Sequence, residues 1–84
     1  MSALIRVTTA EYLSGYRLRL KFSDGDERTV DFSPWLRGRV FQSLHDTREF
    51  KRFFVAGGTV CWPNGADIAP ETLRQAQDVS ASAA

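Results

Sequence analysis

The clearest pattern in the sequence is an alternation of apolar and basic residues. The apolar positions are Tyr16, Leu18, Leu20 and Phe22, and the basic ones are Arg17, Arg19 and Lys21. A period of two is typical of a strand that buries one face, so the pattern predicts a strand over residues 16–22. A second strand is predicted from Glu27 to Phe32, with Val30 and Phe32 facing inward and Glu27, Thr29 and Asp31 facing outward.

The loop between these two strands determines their register. A two-residue turn at Asp24 and Gly25 would set apolar side chains opposite polar ones on the same face of the sheet. A three-residue loop, Ser23 to Gly25, with Gly25 in the left-handed conformation at a bulge, avoids this conflict. The predicted pairs are Leu18 with Val30, Tyr16 with Phe32, Lys21 with Glu27 and Arg17 with Asp31. The two charged pairs neutralise much of the basic stripe.

Weaker sequence signals predict the remaining elements of the N-terminal half, a first strand and one helical turn. Leu4 to Thr8 is rich in β-branched residues and is predicted to be the first strand, with a loop from Glu11 to Gly15. Ser33 is predicted to cap about one helical turn that has Pro34 at its first position.

The C-terminal half is predicted to contain two helices and one strand. Asp46 and Glu49 form a variant capping box, and Phe50, Phe53 and Phe54 follow at helical spacing, so the helix should end near Gly57 and Gly58. A strand is predicted at Thr59 to Trp62, a turn at Pro63 to Gly65 and a helix from Pro70 to Gln77.

The order of these elements is β, β, β, short α, α, β, α. It predicts an α+β fold, an antiparallel sheet of three to four strands with two or three short helices packed on its apolar face. At 84 residues the chain fits one domain, which we place at residues 1–77, with a flexible tail at 78–84.

Composition excludes several classes of protein. A formal charge of +1 gives no overall attraction to nucleic acid or anionic membranes. No apolar run is long enough for a signal peptide or a membrane span, so we expect a soluble, cytoplasmic protein. The single cysteine excludes an internal disulfide.

No group of residues predicts a reaction. His45 lacks a neighbouring nucleophile and is interpreted as a loop residue, and Cys61 as a small hydrophobic residue on the strand face opposite Trp62. We find no metal-ligand or phosphate-loop pattern, so we expect neither enzymatic activity nor a cofactor.

Two surfaces remain as candidates for binding. The first is the corner Trp62 to Asp67, where Trp62, Asn64, Gly65 and Asp67 either form a recognition cleft or only build a turn beside a buried tryptophan. The second is the basic region 37–52, which is either a phosphate or acidic-partner surface or the solvated face of a helix. Its cations are Arg37, Arg39, Arg48, Lys51 and Arg52.

Three stretches of the chain, FSDGDERTVDFSPWL, VFQSLHDTREFKRFFV and TVCWPNGADIAPETL, resemble the small bacterial family DUF2442, a domain of unknown function. The most specific block is Trp62 to Pro70, and Asp24, Gly25 and Asp31 are secondary marks. The resemblance implies a compact α+β domain, found alone or fused to a helix-turn-helix domain. It also implies that the protein is encoded beside another small protein, as members of this family often are, in an arrangement that resembles a toxin-antitoxin pair. No catalytic residue set comes with this family.

We therefore expect a protein-interaction or regulatory module, an antitoxin-like partner of a neighbouring small protein. One alternative is a nucleic-acid-binding accessory domain that uses the basic region 37–52. Another is a small-ligand binder or enzyme at the Trp62 corner. An exposed sheet edge in so small a domain also favours a homodimer.

Overall fold

A computed structural model describes residues 5–79, and the predicted α+β class is confirmed. The six strands are β1 (Val7–Ser14), β2 (Arg17–Phe22), β3 (Glu27–Asp31), β4 (Phe54–Ala56), β5 (Thr59–Cys61) and β6 (Asp67–Ile68). The helices are α1 (Gly38–Gln42), α2 (Thr47–Phe50) and α3 (Pro70–Gln75), with 3-10 turns at Ser33–Trp35 and Ser43–His45. The strands form two antiparallel three-stranded sheets, ordered β1-β2-β3 and β4-β5-β6, where the sequence predicted one.

The β2–β3 hairpin has the predicted register. Leu18 pairs with Val30, Arg17 with Asp31 and Lys21 with Glu27, and the amide of Phe32 donates to the carbonyl of Tyr16 at 2.8 Å. Gly25 has a φ of 89°, a conformation that glycine adopts without steric cost.

The first strand lies later in the chain than predicted. β1 runs from Val7 to Ser14, so the loop predicted at 11–15 is wrong, and Leu4 lies outside the described residues. The ladder to β2 continues through Tyr12, opposite Leu18, with irregularities on both sides. The partner strand supplies hydrogen bonds along this stretch and overrides its weak local strand signal.

The helix predicted from Asp46 to Gly57 is one turn long. Asp46 caps α2 as predicted, because its carboxylate accepts from the amide of Arg48 at 2.9 Å. The helix ends at Phe50, and Phe54 begins β4. Gly57 and Gly58, with φ of 60° and 80°, form the β4–β5 turn and do not end a helix. A short run of apolar residues such as Phe53 to Ala56 is compatible with a helix or with a strand, so the sequence pattern did not exclude the helix that we predicted.

The cap predicted at Ser33 is wrong. The turn at Ser33–Trp35 has Phe32, and not Ser33, at its N-cap. The amide of Ser33 instead donates to the carboxylate of Asp31 at 2.9 Å. The sequence also failed to indicate α1.

One core lies between the sheets and the helices. Its largest fully buried side chains are Trp62, Phe22, Phe32, Phe50, Leu18, Leu20, Leu36, Leu44 and Leu73. Thr29, predicted to face outward, is buried at 6% exposure because the chain beyond α3 lies against it. Asp78 and Val79, the first residues of the predicted tail, make this contact.

Candidate protein-interaction surface

Trp62 belongs to the core, as the structural interpretation of the corner expected. Its side chain is 1% exposed, and its indole N–H donates to the carbonyl of Phe50 at 2.9 Å. Its ring lies 5.9 Å from that of Phe32 and 5.8 Å from that of Phe50, measured between centroids. A side chain so deeply buried can support a surface but cannot contact a ligand itself.

The turn after Trp62 is closed by its own hydrogen bonds. The side-chain oxygen of Asn64 accepts from the amide of Ala66, and its amide group donates to the hydroxyl of Ser43, both at 3.0 Å. The amide of Gly65 donates to the carbonyl of Trp62, also at 3.0 Å. Asn64 therefore fixes the turn and ties it to the 3-10 turn at Ser43.

The outer face of the second sheet brings together residues that lie far apart in the sequence. Phe54 pairs with Cys61, and Cys61 pairs with Asp67. Because directly paired residues share a face, these three side chains form one row across β4, β5 and β6. The neighbouring positions Val60 and Ile68 are buried, so the row lies on the face away from the core.

Phe54 is the member of this row that the sequence did not identify. It was predicted to lie on the buried face of a helix, but it is 45% exposed. Val55 is 36% exposed, and all three residues of β4 are exposed. The pairing with Cys61 gives Phe54 its exposed position, and no local signal in the sequence indicates it.

Cys61 has the environment of an unreactive thiol. Burial raises its pKa, the nearby carboxylate of Asp67 raises it further, and the carbonyl of Ala56, which accepts from the thiol at 3.6 Å, lowers it. A raised pKa keeps the thiol protonated at neutral pH, whereas a nucleophile or metal ligand needs the thiolate. The structure thus supports the structural interpretation of Cys61.

Asp67 lies in β6 with an exposed side chain. The sequence placed Asp67 in the corner, shortly before the helix predicted from Pro70. The N-cap of that helix, α3, is Ala69, which has no side-chain cap. Asp67 therefore places a carboxylate on the outer face of the second sheet.

The five basic residues of the region 37–52 are all exposed, and three of them contact a neighbouring side chain. Arg48 bonds to the carboxylate of Asp46 at 3.2 Å, and Arg52 bonds to Glu49 at 3.3 Å. The bond to the Arg48 guanidinium is the largest of the influences that lower the pKa of Asp46. Lys51 lies over the ring of Tyr12, 4.9 Å from its centroid. The exposed Arg37 and Arg39 lie at the start of α1.

His45 connects two loops. One ring nitrogen bonds to the carbonyl of Leu36, and its own carbonyl accepts from the hydroxyl of Tyr16. These bonds fit the interpretation of His45 as a structural loop residue.

Within residues 5–79, no three His, Cys, Asp or Glu side chains gather as metal ligands would. No helix in that range is long and apolar enough to cross a membrane.

The fold and the site define the class of this protein. It is a small α+β domain with two antiparallel sheets, a hydrogen-bonded turn after Trp62 and an exposed apolar edge strand, β4. The chain belongs to the family described as "Protein of unknown function (DUF2442)", whose model matches residues 7–77. No curated protein and no solved structure matches the chain.

Proposed function

We propose that this chain is a protein-interaction module that binds a partner protein through the outer face and the exposed edge strand β4 of its second sheet. The observation that carries the proposal is the exposure of β4, whose three residues are Phe54, Val55 and Ala56. Among the described strands, β4 forms a ladder with β5 alone. Natural edge strands are usually protected by charges, proline, bulges or very short length. β4 contains no charge and no proline, and its length of three residues is the protection it has.

The chemistry of the neighbouring region favours an acidic partner. Five cations lie between residues 37 and 52, against two acids, Asp46 and Glu49. Arg52 stands two residues before Phe54, and its side chain is 62% exposed. An apolar strand that follows an excess of positive charge in the sequence is complementary to a partner with an apolar segment bordered by carboxylates.

This surface differs from the one that the sequence indicated. Trp62 is buried in the core and does not take part in the contact. Asp67 remains in it, at the far end of the row from Phe54. The regulatory role we propose is that of an antitoxin-like partner, which acts by covering the surface of a neighbouring small protein.

The test is co-purification of the tagged full chain with the proteins encoded beside it, after nuclease treatment. We expect one stoichiometric protein partner. Phe54→Ser should weaken its binding at least about tenfold, because an apolar anchor at the centre of an interface contributes more than about 1.4 kcal/mol. Leu13→Ser is the matched control, since Leu13 is also exposed, at 37%, but lies on β1 of the first sheet.

Each outcome requires that both variants remain folded at the temperature of the co-purification, which their thermal melting curves check. Loss with Phe54→Ser and retention with Leu13→Ser supports the proposal. Equal retention by both variants removes β4 from the interface. If no neighbouring protein binds, but the purified chain forms a salt-sensitive complex with added DNA or RNA that is lost on Arg37→Ala, the nucleic-acid alternative replaces the proposal.

A further inference from the structure

One edge of the first sheet, at β3, is covered by the residues that follow α3. β3 is an edge strand of that sheet. The amide of Val79 donates to the carbonyl of Thr29 at 2.8 Å, and the amide of Thr29 donates to the carboxylate of Asp78 at 3.0 Å. The Asp78 carboxylate thus takes the place that a backbone carbonyl of a neighbouring strand would occupy.

A second group of bonds anchors the same segment from its other end. The guanidinium of Arg28 donates to the carbonyl of Ala76 at 2.6 Å and to Asp26 at 2.8 Å. Arg74 reaches the carboxylate of Asp24 at 3.0 Å and that of Asp26 at 3.7 Å. The polar groups of residues 74–79 therefore meet matching groups on the β2–β3 hairpin.

The contact explains the burial of Thr29. Alternation along β3 assigns this residue to the polar side, and an uncovered edge would leave its amide and carbonyl in water. Both groups are instead paired, and Thr29 is only 6% exposed.

We infer that the edge of β3 is a docking site that the chain's own residues 74–79, the end of α3 and the residues that follow it, occupy, and that the same segment of a second copy can occupy it in their place. The recognition groups of this segment lie within six consecutive residues, so the segment carries its specificity with it. A second copy offers the same groups in the same order, and exchanging an identical element requires no new contact. This inference is independent of the partner surface proposed on β4.

The charges around the site oppose a different arrangement, in which two β3 edges pair directly. Antiparallel self-pairing centred on Thr29 would set Glu27 of one chain opposite Asp31 of the other. Like charges directly opposite each other are destabilising. Residues 74–79 avoid this conflict because they place the carbonyl of Ala76 against the Arg28 guanidinium and set no carboxylate opposite Glu27 or Asp31 in this way.

The experiment measures hydrogen exchange of the Thr29 amide in the full chain. Asp78→Ala should speed exchange about tenfold, the effect of losing one hydrogen bond. Asp78→Asn is the matched control, because it keeps a side-chain oxygen that accepts from Thr29, and its exchange should stay close to that of the unmodified chain.

A synthetic peptide with the sequence of residues 74–79 then tests docking between molecules. Added to the Asp78→Ala chain, it should restore protection of Thr29 in a dose-dependent way, whereas the same peptide carrying Asp78→Ala should not. Unchanged exchange in the Asp78→Ala chain would show that the segment does not guard the edge. Faster exchange that neither peptide reverses would show that the edge takes no strand from a second molecule. Either of these results overturns the inference.

Discussion

The two sheets differ in length, burial and environment. The first has strands of eight, six and five residues, and alternation buries Leu18, Leu20 and Phe22. The second has strands of three, three and two residues, and its edge strand β4 is exposed throughout. The first sheet is a structural platform whose edge at β3 is covered. The second holds the apolar surface that remains open, and that contrast places the proposed interface there.

Two phenylalanines provide the strongest test of this comparison. Phe22 of the first sheet is 1% exposed, and Phe54 of the second is 45% exposed. We expect Phe22→Ala to lower the free energy of unfolding by about 3–5 kcal/mol, because it leaves a cavity in the core. Phe54→Ala should cost about 1 kcal/mol, since half of its side chain is already in water. Urea denaturation of both variants measures the difference, and equal losses would show that the second sheet is as much core as the first.

A smaller effect is expected at the turn that joins β5 to β6 within the second sheet. Asn64→Ala removes the side-chain hydrogen bonds to Ser43 and Ala66 and should cost about 1–2 kcal/mol. Ser43→Ala removes one of the two and is the matched control, with an expected cost of about 0.5–1 kcal/mol. Equal losses in the two urea titrations would show that the bond to Ala66 does not stabilise the turn.

The smallest effect is a pH dependence at the β2–β3 loop. The amide of Asp26 lowers the pKa of Asp24 below its ordinary value of 3.8, burial opposes this shift, and Arg74 lowers the pKa further. A pKa depressed on folding gives stability that is fully present above the unfolded pKa and is lost as pH falls through the folded pKa. Asp24→Asn should therefore flatten the fall in the urea midpoint below about pH 4.

Asp46 provides the internal comparison for this measurement. Its pKa is also lowered, chiefly by the side chain of Arg48, and it is unchanged in Asp24→Asn. Some acid sensitivity should therefore remain in the variant. An identical pH profile in both proteins would assign the whole effect to groups other than Asp24.

The sequence predicted the first sheet better than the second for a physical reason. The strands of the β2–β3 hairpin alternate over five or more residues, and only one loop length kept Leu18 opposite Val30. In β4 three residues cannot display a period, and Phe50, Phe53 and Phe54 fit a helix equally well. The structure resolves the ambiguity because Phe54 pairs with Cys61, 7 positions further along the chain.

The sequence by itself determined the α+β class, the register of the β2–β3 hairpin, the cap at Asp46 and the turn at Pro63 to Gly65, because each depends on neighbours within a few residues. Only the tertiary structure decided that Trp62 is buried beneath the corner, that Phe54 is exposed on an edge strand, and that residues 76–79 cover Thr29. Those outcomes depend on pairings between distant segments, whose hydrogen bonds and burial outweigh local preference.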